Sequence, residues 1–279
     1  MLRIAVQKNG RTTEKVLQIL RSANFNFPEI DKRKLILAAE NFPLEILLVR
    51  NSDIPMHIES GSCCGGFIGE NVLKEKNSSL KILTKTEMLK CSLCLAIPNN
   101  SKFKKLKDFS NKKIATSYPN ATKKFFAEKN IKIKIIPLSG SVEIAPEIEI
   151  ADAICDLVST GTTLKKHKLK IFQKIFDSEI VFAAKKKSSE IEEFLFRINS
   201  ILVAKNRKLL VFDAPKKNLS KILKFLPSAE SPTISPLAES DWVSISTAVN
   251  DDDFWKIIPR LKKLNSKAIL ALPIEKIVL

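Results

Sequence analysis

The sequence predicts a mixed α/β protein of two lobes followed by a smaller α+β domain, and three observations carry that reading. Short β-type runs alternate with helical runs over the first two thirds of the chain, the pattern of a sheet covered by helices. After a second such series, a strand-like run from Phe182 to Lys187 returns toward the first, which makes two α/β lobes with a cleft between them. From Lys208 onward the order becomes β-α-β-β-α-β.

The elements follow in order. "LRIAV" reads as a strand, and the helix after it, from about Thr12 to Ala23, puts Val16, Leu17 and Leu20 on its inner face. "LEILLVR" is a buried strand, and Asp53 with Pro55 opens a short helix. "GGFIG" is a strand ending at Glu70, where "ENVLKEK" begins a helix, and "CSLCLAIP" leads into the second series. There "KKIATSY" is a strand, Pro119 starts the helix "PNATKKFFAEKN", and "IKIKIIPL" and "ADAICDLVST" are strands. Ser189 with Glu192 makes a capping box for a long helix whose apolar face is Ile191, Phe194, Leu195, Ile198, Ile201 and Leu202. The last part reads "KLLVFDAP" (strand), "NLSKILKFL" (helix), "SPTISPL" and "WVSISTAV" (strands), "DDDFWKIIPRLKKL" (helix) and "KAILALPI" (strand), a ferredoxin-like unit. In its second helix Asp251 to Asp253 favour the N-terminus, Pro259 bends the middle, and Asn265 takes a left-handed cap.

Composition narrows the function classes. A chain of 279 residues with 44% hydrophobic and 28% charged content supports two or three ordinary folded domains without disulfides. No uninterrupted apolar run approaches the roughly 20 residues of a membrane span, and the opening "MLRIAVQKNGR" is too charged for a secretory core, so a cytoplasmic location and no membrane partner are expected. Cys63, Cys64, Cys91, Cys94 and Cys155 are odd in number and lie in strand-like text, which predicts reduced thiols; on a strand, Cys91 and Cys94 point to opposite faces. With only His57 and His167 available, a structural zinc site is excluded. The formal charge of +17 is compatible with a nucleic-acid surface, with pockets for polyanionic small molecules, or with a plain lysine bias. Lysines occur as scattered doublets and one triplet without interleaved aromatics, which argues against nucleic acid.

Glycine is used only seven times, so its positions mark turns or close approaches: Gly10, then Gly61, Gly65, Gly66 and Gly69 in "ESGSCCGGFIGEN", Gly140 in "LSGSVE", and Gly161 in "VSTGTTL". The last lies in "ADAICDLVSTGTTL", residues 151 to 164, where a strand bearing Asp152 and Asp156 runs into the hydroxylated turn Ser159-Thr160-Gly161-Thr162-Thr163 and then a helix start. Such a turn offers backbone N–H and side-chain O–H donors to a phosphate, with the helix dipole favouring the charge. A carboxylate just upstream can accept from two sugar hydroxyls, so the segment describes a ribose 5-phosphate cradle. The competing reading is a capped helix after a buried strand, and the two aspartates favour the cradle.

With "GSVEIAP", "IATSYP", "DIPMHIESG", "FIGENVL", "RIAVQKNGR" and "SPTISPLAE", this segment closely resembles the long-form ATP phosphoribosyltransferases, over essentially the full chain and with the motifs in the family's order. The resemblance implies a two-lobed catalytic part of the type II periplasmic-binding-protein kind, with one lobe of residues 1–95 and 180–204 and a second of 96–179, and a ferredoxin-like regulatory domain of 205–279. It implies transfer of the phosphoribosyl group of phosphoribosyl pyrophosphate to the adenine ring of ATP, with release of pyrophosphate, at the first step of histidine biosynthesis. It also implies dependence on Mg2+, feedback by histidine, and homo-oligomers from dimer to hexamer. Carried onto matching positions, it puts phosphoribosyl pyrophosphate on Asp152, Ser159, Thr160, Gly161, Thr162 and Thr163, with Asp156 near the ribose hydroxyls and Glu143 as a further ribose or magnesium contact. The ATP side falls on Lys8, Gly10, Arg11, Arg50 and Tyr118, and the effector on Asp213, Ser231 and Thr233; no metal ligand set is assigned.

One segment departs from the family. Where it usually reads Val-Asp-Leu-Gly, this chain has Cys63-Cys64-Gly65-Gly66, so a thiol, a weak acceptor, stands at Cys64 in place of an acidic residue expected near the nucleotide. That leaves a non-catalytic nucleotide- or anion-binding regulatory paralogue of the same fold as the alternative function.

Overall fold

The strand β1 (Leu2–Gln7) is buried at Ile4, Ala5 and Val6, as a strand covered on both faces requires. The computed structural model describes residues 1–28, 34–226, 231–238 and 241–278. They form two compact units, one of Met1–Gln18 with Phe25–Glu192 and the other of Ile19–Asn24 with Glu193–Leu279.

In chain order, β1 is followed by α1 (Arg11–Ser22), the short strand β2 (Ile36–Ala38), β3 (Leu44–Val49), α2 (Ile54–Glu59), β4 (Gly65–Gly69) and α3 (Glu70–Glu75). The long strand β5 (Lys81–Pro98) then leads into β6 (Lys113–Thr116), α4 (Pro119–Ala127), β7 (Lys134–Pro137), β8 (Ala153–Val158), α5 (Thr162–Lys166) and a second long strand, β9 (Leu169–Ala184). These nine strands form one sheet in the order β2-β3-β1-β4-β9-β5-β8-β6-β7.

The pairing explains the two lobes. β3, β1 and β4 are parallel neighbours, as are β7, β6 and β8. β9 is antiparallel to both β4 and β5, and β5 is antiparallel to β8. Each lobe thus receives one antiparallel strand that arrives from the other, which is the two-lobed arrangement of the type II periplasmic-binding-protein fold. Among the described residues, apolar clusters of this unit gather around Ile54, Ile68 and Val181 in the first lobe, and around Phe109, Phe126 and Cys155 and around Ala115, Val142 and Leu164 in the second.

In the second unit, α6 (Ser189–Ala204) precedes β10 (Arg207–Pro215), α7 (Leu219–Leu223), β11 (Thr233–Pro236), β12 (Trp242–Asn250), α8 (Asp251–Lys263) and β13 (Lys267–Pro273). The four strands are antiparallel in the order β11-β12-β10-β13, the ferredoxin-like arrangement. α7 and α8 pack on one face, where Phe212, Ile222, Ile245 and Leu261 are fully buried. Asn265 takes the left-handed conformation expected after α8 (φ 60°). Glu239, the last residue of "SPTISPLAE", lies outside the described residues.

Four features differ from the sequence expectation. β5 begins at Lys81, ten residues before "CSLCLAIP", and β9 begins at Leu169 and stops at Ala184, short of Lys185 to Lys187. The cap of α6 is Ser188, whose Oγ accepts from the Ile191 N–H at 3.4 Å, while Ser189 turns to Glu190. The two compact units meet within α6, at Glu192 and Glu193. β5 also carries two residues in the left-handed region, Glu87 (φ 56°) and Leu89 (φ 51°), at shifts in its register with β9 between Lys85 and Met88 and between Met88 and Cys91. Bulges of this kind bend a strand and are common beside functional sites.

Among the described residues no helix is long and apolar enough to cross a membrane, and all five cysteines are free. β4 needs its glycines for a close approach: a Cβ on Gly66 would lie 2.6 Å from the Ala5 carbonyl oxygen of β1 and 3.2 Å from Ile54 Cγ2. Gly66→Ala is therefore expected to destabilise the fold by about 2 kcal/mol, the order found for overpacked cores. Urea unfolding of the two proteins measures this, and equal midpoints would contradict the described approach of β4 to β1.

Candidate functional site

The carboxyl ends of β4 and β8 point at each other across the crossing of β5 and β9. Gly69 at the end of β4 is level with Ile180 and, through it, with Met88; Val158 at the end of β8 is level with Ser92, which pairs with Asp177. Between them lies a cavity of ≈ 630 Å³ lined by Glu70 and Lys74 from the first lobe, Val158 and Ser159 from the second, and Lys85, Lys90, Cys91 and Asp177 from the crossing strands. A cleft at the carboxyl ends of strands is where open α/β sheets bind ligands.

The turn after β8 opens on this cleft. Ser159, Thr160, Thr162 and Thr163 are exposed, and Leu164 behind them is buried and anchors α5 to its lobe. Gly161 adopts φ +74°, a left-handed conformation that a side chain disfavours, and this reversal turns the chain into α5. No side chain caps α5, and Thr160 and Thr162 hydrogen-bond to each other through their Oγ1 atoms at 2.9 Å. The turn is thus a cluster of solvent-facing donors.

Asp156 is half-buried on the face of β8 that carries Ile154 and Val158, opposite the face of Ala153 and Cys155. Burial pushes its carboxyl up from the ordinary aspartate value; the Leu157 N–H, donating at 2.7 Å, opposes this, and the negative charge of Glu143 adds to it. Glu143 sits in a single 3-10 turn (Val142–Ile144) tied down by Val142, which is buried in the same cluster as Ile154. The structure therefore brings Asp156, Glu143 and the residue 159–163 turn to one corner of the second lobe.

Tyr118 completes that corner. It stands at the start of α4, where burial raises its phenol to about 12, with Asp156, Cys91 and Glu75 near enough to add to the shift. Its oxygen accepts from Asn71 Nδ2 at 3.0 Å, so a residue of the second lobe is held by one of the first.

Asp152, expected with the sugar-phosphate residues, is corrected by the structure. It precedes β8 at the end away from the turn, roughly 20 Å of extended strand from Ser159. Its Oδ2 accepts from the Lys113 N–H at 2.8 Å and its Oδ1 lies 3.9 Å from Lys112 Nζ, so it joins β8 to β6 and faces no cleft. Strand alternation puts residues 152 and 156 on one face, but not at one end. Cys64 is corrected in the same way. It precedes β4, its N–H donating to the Arg3 carbonyl at 2.8 Å, at the strand end remote from Glu70 and the cavity, so the thiol does not stand in the cleft.

Lys8, Gly10 and Arg11 follow β1, and Arg50 follows β3, at neighbouring carboxyl ends of the first lobe; Gln7 pairs with Val49, and the Lys8 N–H donates to the Val49 carbonyl at 2.8 Å. Gly10 has φ +99° where the chain turns into α1. Among the described residues, Lys8, Arg11 and Arg50 form no ion pair. They flank the cavity one and two strands along the sheet and do not line it. The sequence reading missed Lys74, Lys85, Lys90, Asn71 and Ser178. Asn71 and Lys74 lie in "ENVLKEK", read only as a helix, while Lys85 and Lys90 in "KILTKTEMLK" and Ser178 in "IFQKIFDSEIVFAA" belong to the long crossing strands, where no glycine or hydroxyl turn marks them.

In the second unit, Asp213 pairs with Ser244 and Thr233 with Ser246; with Ser235 they share the sheet face opposite α7 and α8. Ser231 lies exposed two residues before Thr233.

Sequence and structure comparisons give the family. A family model described as ATP phosphoribosyltransferase (HisG) matches residues 50–203, and one for the HisG C-terminal domain matches residues 204–276. The ATP phosphoribosyltransferase of Parabacteroides distasonis is 41% identical over 283 aligned residues, and that of Bacteroides thetaiotaomicron 39%, each with 100% of both chains covered. A solved ATP phosphoribosyl transferase (HisG:HisZ) complex from Thermotoga maritima contains a chain that is 29% identical, with a TM-score of 0.65, covering 73% of this chain and 99% of that one. Likeness of this order over the full length places the chain in the ATP phosphoribosyltransferase family.

Proposed function

We propose that the cleft transfers the phosphoribosyl group of phosphoribosyl pyrophosphate to a ring nitrogen of the adenine of ATP, in the cytoplasm, at the entry to histidine biosynthesis. The observation that carries this is the exposed, uncapped hydroxyl turn of residues 159–163, which ends β8 at a cavity shared by both lobes. No observation favours the non-catalytic alternative.

In this reading the sugar 5-phosphate rests on Ser159, Thr160, Gly161, Thr162 and Thr163, where no side chain caps the helix and the Thr160 and Thr162 hydroxyls bond only to each other. Asp156 accepts from the ribose hydroxyls and Glu143 flanks the same sugar. Lys8, Arg11 and Arg50 hold the anionic tail of ATP, whose purine lies toward Tyr118. The nitrogen–carbon bond forms at the anomeric carbon as the carbon–oxygen bond to pyrophosphate breaks, with inversion. The transition state has oxocarbenium character, so the protein acts by holding two polyanions in line and stabilising the leaving charge. Cations at the cleft suit that task, and no covalent nucleophile is required.

The donor set fits a magnesium ion. Asp156 and Glu143 are hard oxygen donors close enough to repel, which a divalent cation relieves. Among the described residues no cluster of three or more His, Cys, Asp or Glu could form a protein cage, so an ion here depends on phosphate oxygens for most of its shell. When bound, magnesium would neutralise the departing pyrophosphate. The same reading assigns histidine feedback to the sheet face opposite α7 and α8, on Asp213 and Thr233 with Ser231 beside it, and assembly from dimer to hexamer.

Purified protein given ATP, phosphoribosyl pyrophosphate and magnesium should release pyrophosphate only when all three are present, and excess EDTA should abolish the release. No release under these conditions would refute the reading.

A second outcome follows from Asp156. Its folded-state pKa is raised, so its ionisation costs stability: the contribution is favourable below the unfolded value of 3.8 and is lost as pH rises through the folded value. Asp156→Asn should therefore raise the thermal midpoint at pH 7 while lowering kcat/KM by about a hundredfold, the order of a lost charged hydrogen bond to substrate. Calorimetry and the pyrophosphate assay measure the two, and a variant less stable at pH 7 yet fully active would contradict both assignments.

A further inference from the structure

Across the cleft, α3 of the first lobe meets α4 of the second through hydrogen bonds that lie outside the proposed transfer chemistry. Glu75, the last residue of α3, places its carboxylate over the first turn of α4: Oε1 accepts from the Asn120 N–H at 3.0 Å and Oε2 from the Ala121 N–H at 2.9 Å. Asn120 Nδ2 donates in return to the Glu75 carbonyl at 3.0 Å. α4 opens with Pro119, and Tyr118, in the N-cap position, makes no side-chain capping bond, so the cap that a helix normally draws from its own N-cap residue comes here from the other lobe.

One turn earlier in α3, the buried Asn71 donates from Nδ2 to the Tyr118 oxygen at 3.0 Å, while its Oδ1 accepts from Ser178 Oγ and its N–H donates to that same Oγ, both at 3.0 Å. Tyr118 is thus fixed twice, through its phenol by Asn71 and through the helix it opens by Glu75. The β5–β9 ladder that connects the lobes shifts register at several points, on both sides of Met88 among them, where it bears the left-handed Glu87 and Leu89. An interrupted ladder sets the angle between lobes loosely, and the cross-cleft bonds set it firmly.

Resting on the functional reading above, we propose that Glu75 and Asn71 form a clamp that holds the two lobes closed over the substrates and fixes Tyr118 against the purine. Glu75 is then a positioning residue: it touches no reacting atom, and substrate entry and product exit require its release from α4.

The test is hydrogen–deuterium exchange of the peptide spanning Ser117 to Ala127 in the full-length protein, comparing wild type, Glu75→Ala and Glu75→Gln, alongside steady-state pyrophosphate release with ATP varied. In Glu75→Ala the amides of Asn120 and Ala121 should exchange about tenfold faster, the order expected for a lost helix cap. kcat should fall by a similar factor and more than KM rises, because the clamp acts in the closed complex. Glu75→Gln, which keeps the shape and one acceptor oxygen, should recover part of both losses and covers the case that the alanine variant folds poorly. Unchanged exchange at Asn120 and Ala121 would overturn the clamp, as would acceleration spread evenly through β1 and β3, the sign of general destabilisation. Faster local exchange with unaltered kcat and KM would overturn the positioning role. Absence of turnover in the wild type would defeat the functional reading and the positioning role with it, while the exchange data would still decide the clamp.

Discussion

The antiparallel pairing of β5 with β9 is the constraint on which the rest of the molecule depends. Among the described residues these two strands are the only sheet connection between the parallel sets β3-β1-β4 and β7-β6-β8. Because each runs with one set and against the other, the carboxyl ends of β4 and β8 must face each other rather than lie side by side. The cleft, the opposition of Glu70 to Ser159, and the approach of α3 to α4 all follow from that geometry. The bulges around Met88 are its cost in regularity, and they fall where the two lobes would move against each other.

Within that frame the site is built from groups whose own folding interactions are incomplete. Asp156 is held half-buried beside Glu143 with a single backbone donor, an arrangement that opposes its ionisation. The turn at residues 159–163 leaves its helix uncapped, and Lys8, Arg11 and Arg50 stand without carboxylate partners among the described residues. Each of these is a local loss that a bound sugar phosphate, nucleotide or cation would offset. By contrast, Glu75 and Asn71 spend both side-chain polar atoms on bonds within the protein, and Asp152 ties β8 to β6 at the strand end away from the cleft, which marks them as structural or positioning groups.

What could be read from the sequence divides along the same physical line. Strands buried on both faces, such as "LRIAV" and "GGFIG", and helices announced by a proline, such as that at Pro119, were legible because their signals are local. The hydroxyl turn was legible because Gly161 stands out in a glycine-poor chain and does adopt a positive φ. The first half of β5, "KILTKTEMLK", is largely exposed and polar, so no hydrophobic periodicity announced it. Asp152 was misplaced because alternation reports the face of a strand and says nothing of which end meets the ligand. The Glu75 cap had no local signal at all: its partners are 45 and 46 residues away, and only the fold brings them together.

The central claim is that the turn between β8 and α5 receives the sugar phosphate. A crystal structure of the protein with phosphoribosyl pyrophosphate tests it directly. The account predicts the 5-phosphate within hydrogen-bonding distance of the backbone N–H groups and hydroxyls of residues 159–163, with the ribose hydroxyls on Asp156. A phosphate seated elsewhere, with that turn bare and Asp156 facing solvent, would contradict it.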